Sequence, residues 1–109
     1  MRTKLLALLV LLSTFALPAF AADYYVDVTN NTGYQIDYMH VSPADAQNWE
    51  EDVLGNNVMP NGTTQRVTLT GYNSSIFDIR LIDSDGDSYT FWDIDVSEYD
   101  LIVKPEDLD

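Results

Sequence analysis

The 109-residue chain contains no cysteine. That removes disulfide staples, thiol nucleophiles, zinc–thiolate sites and iron–sulfur ligation together. Basic side chains are scarce too: five lysines and arginines stand against 18 aspartates and glutamates, a formal net charge of −13. A surface of that sign repels nucleic-acid phosphates and anionic lipid, so neither class of partner is expected. There is one histidine, His40. A single histidine builds no zinc site unless carboxylates complete it. No Gly-x-Ser-x-Gly turn exists to set a serine nucleophile beside it, and phosphate-cradling glycine loops are missing. No apolar run reaches the roughly 20 residues that a membrane-spanning helix needs.

What is present begins with a three-part leader. Arg2 and Lys4 precede the apolar run Leu5–Leu12, Pro18 breaks it, and Ala19-Phe20-Ala21 sets small residues where a signal peptidase reads. This layout predicts a cleavable signal peptide over residues 1–21, with residues 22–109 forming one domain outside the cytoplasm, periplasmic or secreted. No cysteine follows the site, so no lipid anchor is expected after cleavage. The domain carries all 18 acidic residues against Arg66, Arg80 and Lys104. A chain this short has little interior, and without disulfides its packing must hold it.

Apolar and polar residues then alternate with period two, the mark of half-buried strands. Tyr24, Val26 and Val28 share one face, and Val67 and Leu69 share another. Phe77, Ile79 and Leu81 form the clearest stripe, opposite Asp78 and Arg80. Between Ile36 and Val41 the phase slips, which predicts a bulge near residues 37–39. Turns are expected at Asn30–Gly33, Asn61-Gly62 and Asp83–Asp87. Ser42-Pro43, followed by Ala46, Trp49 and Val53 at helical spacing and stopped by Gly55, predicts one short helix near residues 43–53. The fold expected is all-β, a six- to seven-stranded antiparallel β-sandwich with that helix on one side.

Two constellations carry possible chemistry. Asp83, Asp85 and Asp87 alternate along a tight loop and can supply oxygens to calcium, although Asp85-Gly86 between apolar strands is equally a hairpin turn. Trp49 with Glu50, Glu51 and Asp52 offers an aromatic and acidic partner surface. Paired carboxylates there could serve hydrolysis only if something desolvated one of them. The seven tyrosines and two tryptophans suit cross-strand pairing or the capture of a ligand. Asn30, Asn61 and Asn73 each open an Asn-x-Ser/Thr triplet in an expected turn.

Asn31-Thr32-Gly33-Tyr34 with Ile36, Val41-Ser42-Pro43, Trp49 with Asp52, Leu54 and Gly55, Phe77-Asp78-Ile79-Arg80 and Asp83-Ser84-Asp85-Gly86 together resemble a group of small exported bacterial domains. The resemblance spans most of residues 25–95. It implies a shape organised around Trp49 and the Asp83–Asp87 turn and no catalytic residue. The chain departs from the group in lacking a cysteine after the last acidic strand. Similar chains sometimes carry an argininosuccinate lyase label, which a short β-rich chain cannot satisfy. The sequence thus points to a non-enzymatic binding or interaction domain for a protein or small-molecule partner. The alternatives are a calcium-binding or calcium-stabilised domain and a small hydrolase.

Overall fold

The computed structural model describes residues 22–109, so the expected signal peptide lies outside the described residues. Alternation dictates the strands. Strand β1, Ala22–Asn30, buries Val26 and Val28 and turns Tyr25 to solvent. It is followed by β2 (Ile36–Pro43), β3 (Thr64–Tyr72), β4 (Ile76–Asp83), β5 (Ser88–Asp95) and the short β6 (Leu101–Val103). Pro105–Asp107 forms one turn of 3-10 helix. The strands make two three-stranded sheets, ordered β3-β1-β6 and β2-β4-β5. Their buried side chains join in a single cluster around Phe77, Ile36, Met39, Ile79 and Val26. Among the described residues no helix is long and apolar enough to cross a membrane.

The phase slip in β2 is a bulge. Ile36 pairs with Asp83 and Tyr38 with Ile82, leaving Asp37 extra. The extra residue lets Ile36, Met39 and Val41 all face the core while Tyr38 faces out, as a one-residue insertion into a two-residue period must.

Two expectations are corrected. Pairing is not wholly antiparallel: β6 lies parallel to β1, with Val28 opposite Leu101 and Asn30 opposite Val103. A parallel pair needs a long crossover, and here the connection carries β3 as well as the whole second sheet. The Asp27 N–H donates to Asp100 Oδ1, which sets the returning chain beside the middle of β1.

The helix near residues 43–53 is also absent; the segment is a chain of turns and bends. Ser42 Oγ does not cap a first helical turn. It accepts from the Glu50 N–H eight residues on. Asp52 Oδ1 accepts from the N–H groups of Met39 and Leu54, and the Val53 N–H donates to the Met39 carbonyl. These bonds hold the segment along the edge of β2, where the backbone finds partners that a short isolated helix would have to supply itself. Leu54 is consequently buried, whereas Val53, which shares the helical spacing with Trp49, is exposed.

The edges are finished unevenly. Alongside β5, Tyr89 bridges Leu108, the Asp109 N–H donates to the Ser88 carbonyl, and Asp109 Oδ1 accepts from the Thr90 N–H. At the other sheet β3 is an open edge of nine residues.

One side chain locks the start of the loops. Asn30, fully buried, donates from Nδ2 to the carbonyls of Tyr34 and Met59 and accepts at Oδ1 from the N–H and hydroxyl of Thr32. Its backbone N–H donates to the Thr63 carbonyl, and its own carbonyl accepts from Gly62 N–H. The Asn30 triplet is therefore closed to modification in the folded protein. Replacing Asn30 by Asp keeps the shape but puts one acceptor oxygen, facing two carbonyls, where the amide nitrogen gave two N–H donors. Asn30→Asp should cost about 3 kcal/mol or more in urea unfolding, from orphaned buried groups and a buried charge. Asn73→Asp, on an exposed loop, should lie within about 0.5 kcal/mol of wild type.

Candidate functional site

The site is built from the outer face of the β2-β4-β5 sheet. Along β4, Asp78, Arg80 and Ile82 alternate on the face away from the core, and across from the first two β5 carries Trp92 and Thr90. The pairing runs Phe77 with Ile94 and Ile79 with Phe91, so Trp92 and Asp93 together oppose Asp78. That is a second bulge. It holds Asp93 at φ +58°, a left-handed conformation found at no other non-glycine residue described. Such a residue carries a strain of about 1–2 kcal/mol. The Asp93 N–H donates to Asp78 Oδ1 at 2.8 Å, which fixes the bulge. Bulges re-aim side chains, and this one stands Trp92 out from the sheet, 61% exposed.

Trp49 arrives from the 44–50 segment. Its ring centroid lies 5.7 Å from that of Trp92 with the planes inclined at 38°, an open V rather than a stack. Arg80 sets its guanidinium 5.1 Å from the Trp49 ring centre and donates from Nε to Thr90 Oγ1. Ser42, Pro43, Ala46, Gln47 and Asn48 complete a cleft of about 210 Å³ with Asp78 in its wall. Asp78 is only 8% exposed. Its second oxygen has no protein donor among the described residues. Asp78 and Arg80, neighbours on this face, do not pair with each other, because each has the partner named above.

The residues proposed as a partner surface separate. Trp49 is in the cleft. Glu50 accepts from the Tyr72 hydroxyl, and this bond, with burial of the phenol, raises the Tyr72 pKa above its ordinary value. Glu51 is exposed. Asp52 turns inward to the backbone of Met39 and Leu54. His40 Nδ1 lies 2.7 Å from the Glu50 carbonyl, so Nδ1 carries the proton and donates.

The acidic loop is built around Asp83. Its Oδ1 accepts from the N–H groups of Asp85 and Asp87, and its Oδ2 from the Tyr89 hydroxyl at 2.9 Å. Asp85 and Asp87 are exposed. No group of three potential metal ligands occurs among the described residues. Asp83 thus supports a hairpin turn, its two oxygens committed to three donors. Asp95 likewise accepts from the Ser97 hydroxyl and N–H.

A wider cleft of about 360 Å³ lies between Asp23, Tyr24 and Tyr25 and the 96–100 segment, with Glu98, Tyr99 and Asp100 on its far side. The Arg66 guanidinium covers one of its rings, Tyr25, at 3.9 Å, while pairing with Asp27. The hydrogen bond from Arg66 holds the Asp27 carboxyl below its ordinary range. Asp100 is spent on the Asp27 N–H. This cleft therefore has no buried acceptor left over, whereas the tryptophan cleft has one.

The chain matches no family model, no curated protein and no solved structure.

Trp92 and Asp78 escaped the sequence reading because alternation alone places them as ordinary outward residues. The usable signal was the run Phe91-Trp92-Asp93-Ile94, which breaks period two opposite a strand that keeps it. Replacing Asp93 by Gly should remove the strain, holding or raising stability by up to about 1 kcal/mol. Asp93→Val should lower it by about 1–2 kcal/mol, since branched side chains resist this φ. Denaturant titration reads both.

Burial, aided by the bond to Asp83, pushes the Tyr89 phenol up to about 12 from 10.0. A raised pKa means that the folded state holds its proton longer, so this stabilisation is complete below pH 10 and is lost as pH climbs through 12. Across that window the melting temperature should fall more steeply with pH in wild type than in Tyr89→Phe, which has no phenol to ionise.

Proposed function

We propose that the chain is a non-enzymatic binding domain that works outside the cytoplasm, periplasmic or secreted, once residues 1–21 are removed. We read its two sheets, which share one buried cluster, as the halves of a β-sandwich, with the tryptophan cleft on an outer face. The observation that carries the reading is the pairing of a strained bulge with an exposed indole. Asp93 is held at φ +58° and Trp92 stands 61% exposed beside Trp49. A fold with a small core gives up both strain energy and apolar burial at one spot, and such spots are where function is commonly found.

Binding is favoured over turnover by the state of the nearby acid–base groups. Asp78 already accepts from the Asp93 N–H, and the His40 Nδ1 proton is spent on the Glu50 carbonyl. Among the described residues neither is hydrogen-bonded to a hydroxyl that it could activate as a nucleophile. The partner is a small molecule or a protein segment that presents an apolar face to two indoles. The acidic surface, with 18 carboxylates in the whole chain, disfavours nucleic acid.

The test begins with maturation. Expressed with its leader in a bacterial host, the protein should be recovered from the exported fraction starting Ala22-Asp23-Tyr24. Indole fluorescence of that mature protein, titrated with fractionated extracellular or periplasmic extract, should change saturably. The change should be lost in Trp92→Ala while the far-ultraviolet circular dichroism stays that of the parent. A saturable change that survives Trp92→Ala would place binding elsewhere, and an unprocessed cytoplasmic product would overturn the export reading.

A further inference from the structure

We infer that the cleft lined by Trp49 and Trp92 takes a neutral saccharide ring; this rests on reading the cleft as the binding face. Charge removes most ligand classes, and fit selects among the rest. A cation would find Trp49 already carrying the Arg80 guanidinium 5.1 Å from its ring centre. Two cations on one indole repel, so a lysine- or arginine-led ligand is disfavoured in spite of the acidic surface. An anion would meet Asp78, whose carboxylate is 8% exposed and lines the cleft. Burying a second negative charge against it is costlier still.

A purely apolar ligand would leave the free Asp78 oxygen dry and unpaired, at about 1–3 kcal/mol or more for a charged group. What remains is a neutral molecule with an apolar face and hydroxyl donors. A saccharide ring is such a molecule. Its axial C–H face carries slight positive charge and lies against the negative face of an indole. Its hydroxyls can donate to Asp78, which accepts only, and accept from the Gln47 and Asn48 amides on the rim. The ring centroids lie 5.7 Å apart, too close to admit a third ring between them at contact distances of about 3.5–4.0 Å, so the inclined indoles form one wall and the sugar lies against it. The volume of about 210 Å³ lies below the roughly 300 Å³ at which drug-sized pockets begin, so one ring enters while linked rings continue over exposed Trp92.

The experiment follows the two indole N–H signals by proton–nitrogen NMR in the mature protein. They are assigned by Trp49→Phe and Trp92→Phe. The probes are β-linked glucose, N-acetylglucosamine, galactose and mannose disaccharides, the α-linked glucose disaccharide, and a lysine–arginine-rich peptide. At least one saccharide should move both indole signals saturably, and Trp92→Ala and Asp78→Asn should each weaken that binding about tenfold or more. Asp78→Asn is scored on a spectrum that otherwise overlays wild type. Its amide would offer one acceptor oxygen where the carboxylate offers two, so Trp92→Ala alone decides if the bulge rearranges. Indole shifts with the peptide and with no saccharide overturn the saccharide inference and leave the cleft as the binding face. Silence of both indoles toward every probe overturns the saccharide inference. If extract also leaves them unmoved, the binding face falls with it.

Discussion

The buried amide of Asn30 is the contact on which the arrangement of the loops depends. It sits where β1 ends, and its four side-chain hydrogen bonds reach Thr32, Tyr34 and Met59. Through them the turn after β1 and the approach to β3 are fixed to one point in the interior. From Met59 the pattern passes to Ile36 by a pair of backbone bonds, and so to the start of β2. A protein without cysteine needs a cross-link of another kind, and a satisfied amide in a dry place serves because each unmade bond would be costly. The same logic recurs with carboxylates. Asp52, Asp78, Asp83, Asp95, Asp100, Asp107 and Asp109 each accept a backbone N–H at a place where the ladder of a sheet stops or breaks. Much of the acidity that reads in composition as a solvated surface is therefore part of the framework.

How far the sequence reveals this depends on the range of the interaction. Strand faces are legible because period two is local: Val26 with Val28, Val67 with Leu69, and Phe77 with Ile79 and Leu81 are all buried as expected. The Asp37 bulge is legible for the same reason, since it interrupts the period within one strand. The helix near residues 43–53 fails because its signals are local and its competitors are not. Ser42 and Asp52 have the chemistry of caps and turns, and only the three-dimensional neighbourhood says that Glu50 and Met39 claim them. Parallel β6 fails similarly, because the order of turns suggests hairpins and Asp100 reaching Asp27 is a contact across most of the chain.

The candidate site was half legible. Trp49 stood out as a large aromatic in a polar stretch, but Glu50, Glu51 and Asp52 beside it are drawn to other tasks or to solvent. Its true companions, Trp92, Asp78 and Arg80, lie on β4 and β5, and their convergence follows from a bulge that only strand pairing exposes. In the Asp83–Asp87 loop the alternate carboxylates are legible, but the bonds from Asp83 to its own turn and to Tyr89 are not.

The open side of β3 bears on the protein's life in solution. Its residues offer a row of amide groups to any passing strand, interrupted only near Gly71, where the register with β1 shifts. No covering segment of the kind that shields β5 lies along it among the described residues. Identical copies would be natural guests, and a file of them would grow from edge to edge. Mutual repulsion among chains rich in carboxylates stands in the way. Excess negative charge is then a colloidal safeguard for one strand, and it weakens wherever protons or dense counterions neutralise it. Edge-to-edge association then joins the loss of the carboxylate hydrogen bonds as a mode of failure of this molecule in acid.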